Sequence, residues 1–205
     1  MWRTLRIALL ACLLPIATAV PASATPPSDV ASSLALSALW SKIFETPNPQ
    51  NPLGAGGAAY SCVQVAPGLL SAFGNGSVPG CTVNRGTTLL VTPYASECST
   101  FENSTPAELR RCAIQGNARI TGLSLAIDGK PVAFQAVQTI LIPIVLPANN
   151  VFGAPTGAKG LSVGDGWVTL VRLTPGLHSV HTTASGFDGS GNVVNSDNIT
   201  IFNVR

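Results

Sequence analysis

The chain has 205 residues, of which 46% are hydrophobic and only 10% are charged, with 11 Lys and Arg against 9 Asp and Glu. Without residues 1–24, which contain Arg3 and Arg6, the count becomes 11 − 2 = 9 against 9, a net charge of 0. The sequence therefore offers no basic field of the kind that nucleic acid or anionic lipid binding requires, and its hydrophobicity argues against disorder.

Residues 1–24 are predicted to be an export signal. Met1–Arg6 is basic, Ile7–Ala19 is an apolar run of signal-peptide length, and small residues lead up to a cleavage site after Ala24. Lipoprotein-type cleavage at Cys12 is the alternative, but the apolar run continues past that residue. The run is too short to span a bilayer, so we expect no transmembrane segment and a secreted protein, extracellular or periplasmic.

Two helices are predicted, one at each end of the first half of the chain. Ser28–Glu45 has apolar residues at three- and four-residue spacing, and its single lysine favours packing on the protein over lying on a membrane surface or binding a partner. Residues 47–59 are a Pro- and Gly-rich connector, so residues 25–59 form an N-terminal helix and its connector. Thr105–Gln115 is a short helix that begins with a capping box.

Residues 60–205 are predicted to form one mostly β domain, an antiparallel β-sandwich of immunoglobulin-like or jelly-roll topology. Val132–Leu146 is nearly continuously apolar, as a strand buried on both faces would be, with Pro143 as its expected break. The other predicted strands are Ser61–Val65, Leu69–Phe73, Thr87–Thr92, a run from Arg119 to the Asp128-Gly129 turn, Trp167–Leu173, Leu177–Ala184 and Asn198–Val204.

Four cysteines remain after the signal: Cys62, Cys81, Cys98 and Cys112. An even number in an exported protein predicts two disulfides, for which three connectivities exist. Cys62–Cys81 and Cys98–Cys112 are favoured because neighbours in sequence close compact loops, each worth about 3 kcal/mol. A zinc site is disfavoured because the sequence has no CxxC, and no cofactor is expected.

The two histidines, His178 and His181, are the first candidates for chemistry. On a strand they point to opposite faces, so they do not chelate one metal together. An enzyme would need His178 to meet Asp128 or Asp165 in a cleft. The sequence has no GxSxG motif, and its carboxylates are scattered. These are Asp29, Glu45, Glu97, Glu102, Glu108, Asp128, Asp165, Asp188 and Asp197.

Two local patterns have a simple interpretation. Asp188–Asn192 superficially resembles the start of a calcium loop, but the glutamate expected at the twelfth position is replaced by Ile199, so a hairpin turn is favoured. Three sequons, at Asn75, Asn103 and Asn198, matter only in a host that glycosylates.

Several segments resemble uncharacterised secreted bacterial β-sandwich proteins. They include Cys62-Val63-Gln64, Ile127 to Val132 (IDGKPV), Asp165-Gly166-Trp167 and Leu173 to His178 (LTPGLH). The last hairpin, from Pro175 to Asn192, resembles that of immunoglobulin-like bacterial surface modules. The resemblance implies a fold and supplies no catalytic residue.

We therefore expect a non-enzymatic protein that binds an extracellular ligand or protein partner through loops at one end of the sandwich. The candidate surface combines the 149–160 loop with Asp165, Trp167 and His178. The alternatives are a hydrolase or metal-dependent enzyme using His178, and a structural or assembly subunit with an open sheet edge or an apolar patch.

Overall fold

The computed structural model describes residues 29–54, 62–72, 78–102 and 105–205. The export signal with Cys12, most of the glycine-rich part of the connector, and the sequon asparagines Asn75 and Asn103 lie outside these residues. The elements are α1 (Asp29–Glu45), β1 (Cys62–Ala66), β2 (Leu69–Ala72), β3 (Val78–Val83), β4 (Thr88–Ser99), α2 (Pro106–Asn117), β5 (Arg119–Ile127), β6 (Lys130–Pro131), β7 (Gln135–Gln138), β8 (Ile142–Val145), β9 (Lys159–Arg172), β10 (Gly176–Phe187) and β11 (Val193–Val204).

The strands form two sheets, which confirms the predicted mostly β sandwich with two helices. The first sheet has the order β1-β2-β4-β9-β7, with β8 also paired to β9, and the second has the order β3-β11-β10-β5-β6. Both sheets are mixed, because β2 pairs with β4 and β3 pairs with β11 in parallel, whereas the other pairs are antiparallel.

Helix α1 covers the outer face of the first sheet. Its apolar stripe is buried against β4, β7, β8 and β9, and it includes Leu36, Leu39, Trp40, Ile43 and Phe44. Gly164 of β9 lies directly beneath the Trp40 ring, where an added Cβ would come within 2.5 Å of the indole. Burying a Leu or Ile side chain of this kind contributes about 2 kcal/mol, so the predicted packing helix is part of the core.

The inner face of the first sheet has two different neighbours along its length. At one end Leu89 and Val91 of β4 pack against Val180 of β10 and Phe202 of β11, which forms the core between the sheets. At the other end the second sheet is replaced by α2, whose Leu109 packs against β4 and β9. This change of neighbour along β4 positions the cleft described below.

Both predicted disulfides are present. Cys62–Cys81 joins β1 to β3, so it links the edge strands of the two sheets. Cys98–Cys112 joins β4 to α2. In the part of the chain that the structure describes, no helix is long and apolar enough to cross a membrane.

Helix α2 begins as predicted but ends later. Thr105 is the N-cap, and its hydroxyl accepts a hydrogen bond of 3.2 Å from the Glu108 N–H. The helix continues past its predicted end at Gln115, through Gly116, to Asn117. Gly116 serves packing instead, because a Cβ there would lie 2.5 Å from the Ser96 hydroxyl on β4.

The long apolar segment Val132–Leu146 does not form one continuous strand. It gives β7 and β8, which both pair with β9, and the register shifts by one residue between them. The extra residue bulges outward at Ile140, whose side chain is 53% exposed. Strand β3 was absent from the sequence prediction, and β4 continues seven residues beyond the predicted end at Thr92.

Candidate functional site

His178 lies next to Asp128, as the enzyme hypothesis requires, but the pair connects two segments of the fold and leaves no free ring nitrogen. Nδ1 of His178 is 2.7 Å from Oδ2 of Asp128, and Nε2 is 2.9 Å from the carbonyl oxygen of Thr174. Oδ1 of Asp128 accepts a hydrogen bond of 2.9 Å from the Ser179 N–H. The pair thus fastens the β5–β6 turn to the start of β10.

This arrangement leaves the imidazole without a free nitrogen. Both neighbours of the ring, a carboxylate and a carbonyl, are acceptors, so the geometry suits the doubly protonated imidazolium. The hydrogen bond to Asp128 accordingly raises the pKa of His178, and the same bond lowers the pKa of Asp128. A general base needs a free ring nitrogen, which this pair does not provide.

The other candidate residues do not meet His178. Asp165 lies on β9, seven residues before its end at Arg172, a distance of about 23 Å along the strand. Its carboxylate accepts a hydrogen bond of 2.6 Å from Asn117 of α2, and burial raises its pKa. Trp167 pairs with Tyr94 of β4 and is partly buried.

The 149–160 loop is held by its own hydrogen bonds and packs against α1. Asn150 is buried, and its amide and carbonyl groups hold the loop by bonds to Pro147, Phe152 and Ala154. The Phe152 ring stacks on Phe44 of α1 at 5.6 Å. These hydrogen bonds and ring contacts of the loop do not include Asp165, Trp167 or His178. His181 lies elsewhere on the second sheet, 2.6 Å from Asp197.

The structure contains instead a cleft of about 370 Å³ beside the second half of β4, which we call the β4 cleft. This volume lies in the range of small-ligand sites. Three elements supply its walls: β4, the C-terminal half of α2, and the turn between β10 and β11. The lining residues are Tyr94, Ser96, Glu97, Cys98, Glu102, Cys112, Gln115, Gly116, Asp188, Gly189 and Ser190.

Three contacts fix the walls of the β4 cleft. The Ser96 hydroxyl donates a hydrogen bond of 2.7 Å to the Ala113 carbonyl of α2, and the disulfide from Cys98 ties the same two elements together. A Cβ at Gly189 would lie 3.0 Å from the Cα of Gly116, so the turn rests directly on the helix. The cleft therefore has a rigid frame.

The described residues that line the β4 cleft include three acidic residues and no basic one. Glu97, Glu102 and Asp188 are its titratable carboxyl groups, and none of the described lining residues is Lys, Arg or His. Asp188 accepts hydrogen bonds from the backbone of Ser190 and Asn192 and from the Asn192 amide, which lower its pKa and keep it ionised. Burial, and then the charge of Asp188, raise the pKa of Tyr94.

Glu97 is the most perturbed of these groups. Burial raises its pKa to about 8, a hydrogen bond from the Ser162 hydroxyl opposes the rise, and the Glu102 carboxylate adds to it. By strand alternation its side chain points to the α1 face, together with Ala95 and Ser99. The Ser99 hydroxyl beside it is fully buried and has no hydrogen-bond partner among the described residues.

Among the described residues, the backbone of β4 has an open edge at Ala95 and Glu97, and of these two residues Glu97 lines the cleft. In the part of the chain that the structure describes, β2 pairs with β4 only as far as Leu90, and from Tyr94 onward β4 pairs only with β9. The N–H and C=O of Gly164 both bond to Thr139, away from β4. Glu97, which faces Gly164, therefore points its own N–H and C=O away from β9, and Ala95 does the same two residues earlier.

These four backbone groups have no hydrogen-bond partner among the described residues. Ser99, next in the alternation, is already satisfied: its N–H bonds to Oε2 of Glu102 at 3.1 Å, and its carbonyl accepts from the Glu102 N–H at 2.9 Å. The open edge therefore consists of Ala95 and Glu97, and it ends where Glu102 bonds to Ser99.

The sequence contains the residues of this site, but no local pattern in it predicts that they lie close together in the fold. Glu97, Glu102 and Asp188 are separated by up to 91 residues (188 − 97), and each had only a local interpretation. The capping-box helix and the Cys98–Cys112 pair were the usable signals, because together they place α2 next to β4. In the part of the chain that the structure describes, no three His, Cys, Asp or Glu side chains are grouped to hold a metal ion.

Comparison with known proteins adds no functional information. No family model and no curated protein matches this sequence. Among solved structures, one titled "Solution Structure of Amebosin" is similar over 67% of this chain and 96% of that chain, at 12% sequence identity and a TM-score of 0.23.

Proposed function

We propose that this chain is an exported, disulfide-bonded protein that acts by binding a ligand or protein partner, and that the β4 cleft is its binding site. The observation that carries the proposal is the cleft itself, where a rigid frame and acidic side chains lie beside backbone groups that have no hydrogen-bond partner among the described residues. Unsatisfied polar groups and uncompensated charge in a concave site are features of binding sites.

Export is supported by two features of the chain. Residues 1–24 have the composition of a signal peptide, and disulfides such as Cys62–Cys81 and Cys98–Cys112 persist in oxidising compartments. Membership of the secreted bacterial β-sandwich proteins, with an immunoglobulin-like last hairpin, is part of the same proposal.

A binding role is favoured over the two alternatives by specific contacts. The enzyme hypothesis depends on His178, whose two ring nitrogens are both bonded. The assembly hypothesis depends on exposed strand edges, and several edges carry features that disfavour pairing. Pro79 lies in β3, Pro131 in β6 and Pro143 in β8, and the pairings of β1 and β5 contain register shifts.

The proposal predicts that the cleft prefers a cationic ligand. We would titrate the oxidised, isotope-labelled protein with tri-lysine amide and, as matched control, with tri-glutamate, and follow backbone amide NMR signals. Tri-lysine should shift the signals of Tyr94–Glu102, Gln115–Gly116 and Asp188–Ser190, and tri-glutamate should not. Shifts confined to other surfaces, or equal shifts with both peptides, would refute the β4 cleft as the binding site.

A further inference from the structure

We propose that the ligand of the β4 cleft is an extended peptide segment carrying Lys or Arg side chains, which adds a strand to the open edge of β4. This inference rests on the proposed binding function and specifies its partner. Strand addition uses the main chain of the peptide for affinity and the side chains at alternate positions for specificity.

The edge has the geometry that strand addition needs. The single register shift of β4 against β9 lies between Val91 and Tyr94, and from Tyr94 to Ser99 the pairing is regular. The segment from Ala95 to Ser99 spans about 13 Å at 3.3 Å per residue. Within it, the N–H and C=O groups of Ala95 and Glu97 offer two donors and two acceptors in one row.

The edge is recessed, which separates it from the other strand edges of the molecule. Helix α2 and the Asp188–Ser190 turn rise beside it, so a flat sheet edge of a second molecule meets these walls first. A single extended segment enters such a groove more easily than a whole sheet does. Recessing protects the edge in the way that prolines and bulges protect β1, β3, β5 and β8.

The charges around the edge favour a basic peptide. Glu102 stands at one end, where its backbone and carboxylate already bond to Ser99, and Asp188 lies in the opposite wall. No basic side chain among the described lining residues compensates them. Because side chains of an added strand alternate between the two faces, basic residues at every second position can meet these carboxylates on one face.

The test uses the hexapeptide acetyl-Thr-Val-Lys-Val-Lys-Thr-amide and three relatives of it. In one relative both lysines are replaced by glutamate. In the other two, the backbone is N-methylated at the second and fourth, or at the third and fifth, residues. Only alternate N–H groups of an added strand face the edge, so one N-methylated peptide should lose at least about tenfold in affinity and the other should stay within about threefold.

Two protein variants complete the test, measured by calorimetry on the oxidised protein. Ala95→Pro removes an edge N–H that has no partner among the described residues, a change that edge strands tolerate, and should weaken binding at least about tenfold. Glu102→Gln keeps an acceptor for Ser99 and should weaken the lysine peptide about threefold or more, whereas Asp197→Asn on the second sheet should not.

The outcomes distinguish this inference from the function on which it rests. Unequal effects of the two N-methylated peptides, with loss of binding in Ala95→Pro, support strand addition. Equal affinity of both N-methylated peptides overturns strand addition, while tri-lysine shifts in the cleft still uphold the binding site. If neither tri-lysine nor the hexapeptide shifts the cleft signals, both proposals are wrong. If Ala95→Pro fails to fold, the peptide pair decides alone.

Discussion

The buried carboxyl group of Glu97 predicts that the protein loses stability as the pH rises. Its pKa in the folded state is about 8, against 4.5 for an ordinary glutamate, so the folded state binds the proton more tightly. The contribution of Glu97 to stability is therefore greatest below pH 4.5, falls as the pH rises from 4.5 to about 8, and reaches a lower plateau above that.

The size of this loss follows from the same two values. The gap between 4.5 and about 8 corresponds to at most about 5 kcal/mol, since each pKa unit is worth about 1.4 kcal/mol. The Glu97 side chain is partly accessible, so water and local relaxation reduce this upper bound. We expect about 2–3 kcal/mol of unfolding free energy to be lost between pH 5 and pH 9 through this group.

Glu97→Gln isolates the effect, because glutamine is neutral at every pH and keeps an oxygen that accepts from Ser162. Urea unfolding followed by circular dichroism at pH 5, 6, 7, 8 and 9 would give the free energies. The variant should lose at least about 2 kcal/mol less than the natural protein over this range. Glu45→Gln, at an exposed position of α1, is the matched control and should follow the natural protein. Parallel curves for the natural protein and Glu97→Gln would refute the reasoning.

Three further predictions concern the frame of the site and the histidine pair. Asp128→Asn should lower the pKa of His178 toward the ordinary 6.5 in an NMR titration, because the hydrogen bond to Asp128 raises this pKa. The same pair stabilises the fold below pH 6.5. An unchanged pKa of His178 would contradict the ion pair. Gly116→Val should cost about 1–3 kcal/mol in urea unfolding and distort the cleft, whereas Ile114→Val on the exposed side of α2 should cost little; equal costs would contradict the close helix contact. Replacing Cys98 and Cys112 by serine should cost about 3 kcal/mol and weaken tri-lysine binding, and unchanged binding would show that the bridge does not frame the cleft.

The elements with strong local signals could be predicted from the sequence. Helix α1 has a continuous apolar stripe, and α2 has Thr105 as cap and Pro106 in its first turn, so both were predicted near their true bounds. The disulfides followed from the compact loops of 19 and 14 residues that they close. The last three strands were located correctly but are longer than predicted, because Thr, Ser and Asn are tolerated in a strand that is bonded to strands on both sides.

The cleft could not be predicted because it depends on two features that local patterns hide. The predicted strand ended at Thr92, but a one-residue register shift between Val91 and Tyr94 accommodates Pro93 and β4 continues to Ser99. Among the described residues, β2 pairs with β4 only as far as Leu90, and this extent of pairing is set by the topology of the sheet. Glu97 and the Asp188–Ser190 turn are far apart in the sequence, and only the tertiary fold places both of them in the cleft.

Hydrogen exchange of single backbone amides tests the open edge of β4 most directly. In the free protein the amides of Ala95 and Glu97 should exchange rapidly, whereas those of Ser96 and Cys98, which are bonded to β9, should exchange slowly. Addition of the lysine hexapeptide should slow Ala95 and Glu97 and leave Ser96 and Cys98 unchanged. Slow exchange at Ala95 and Glu97 in the free protein would show that the edge is already paired, and would contradict the binding site built on it.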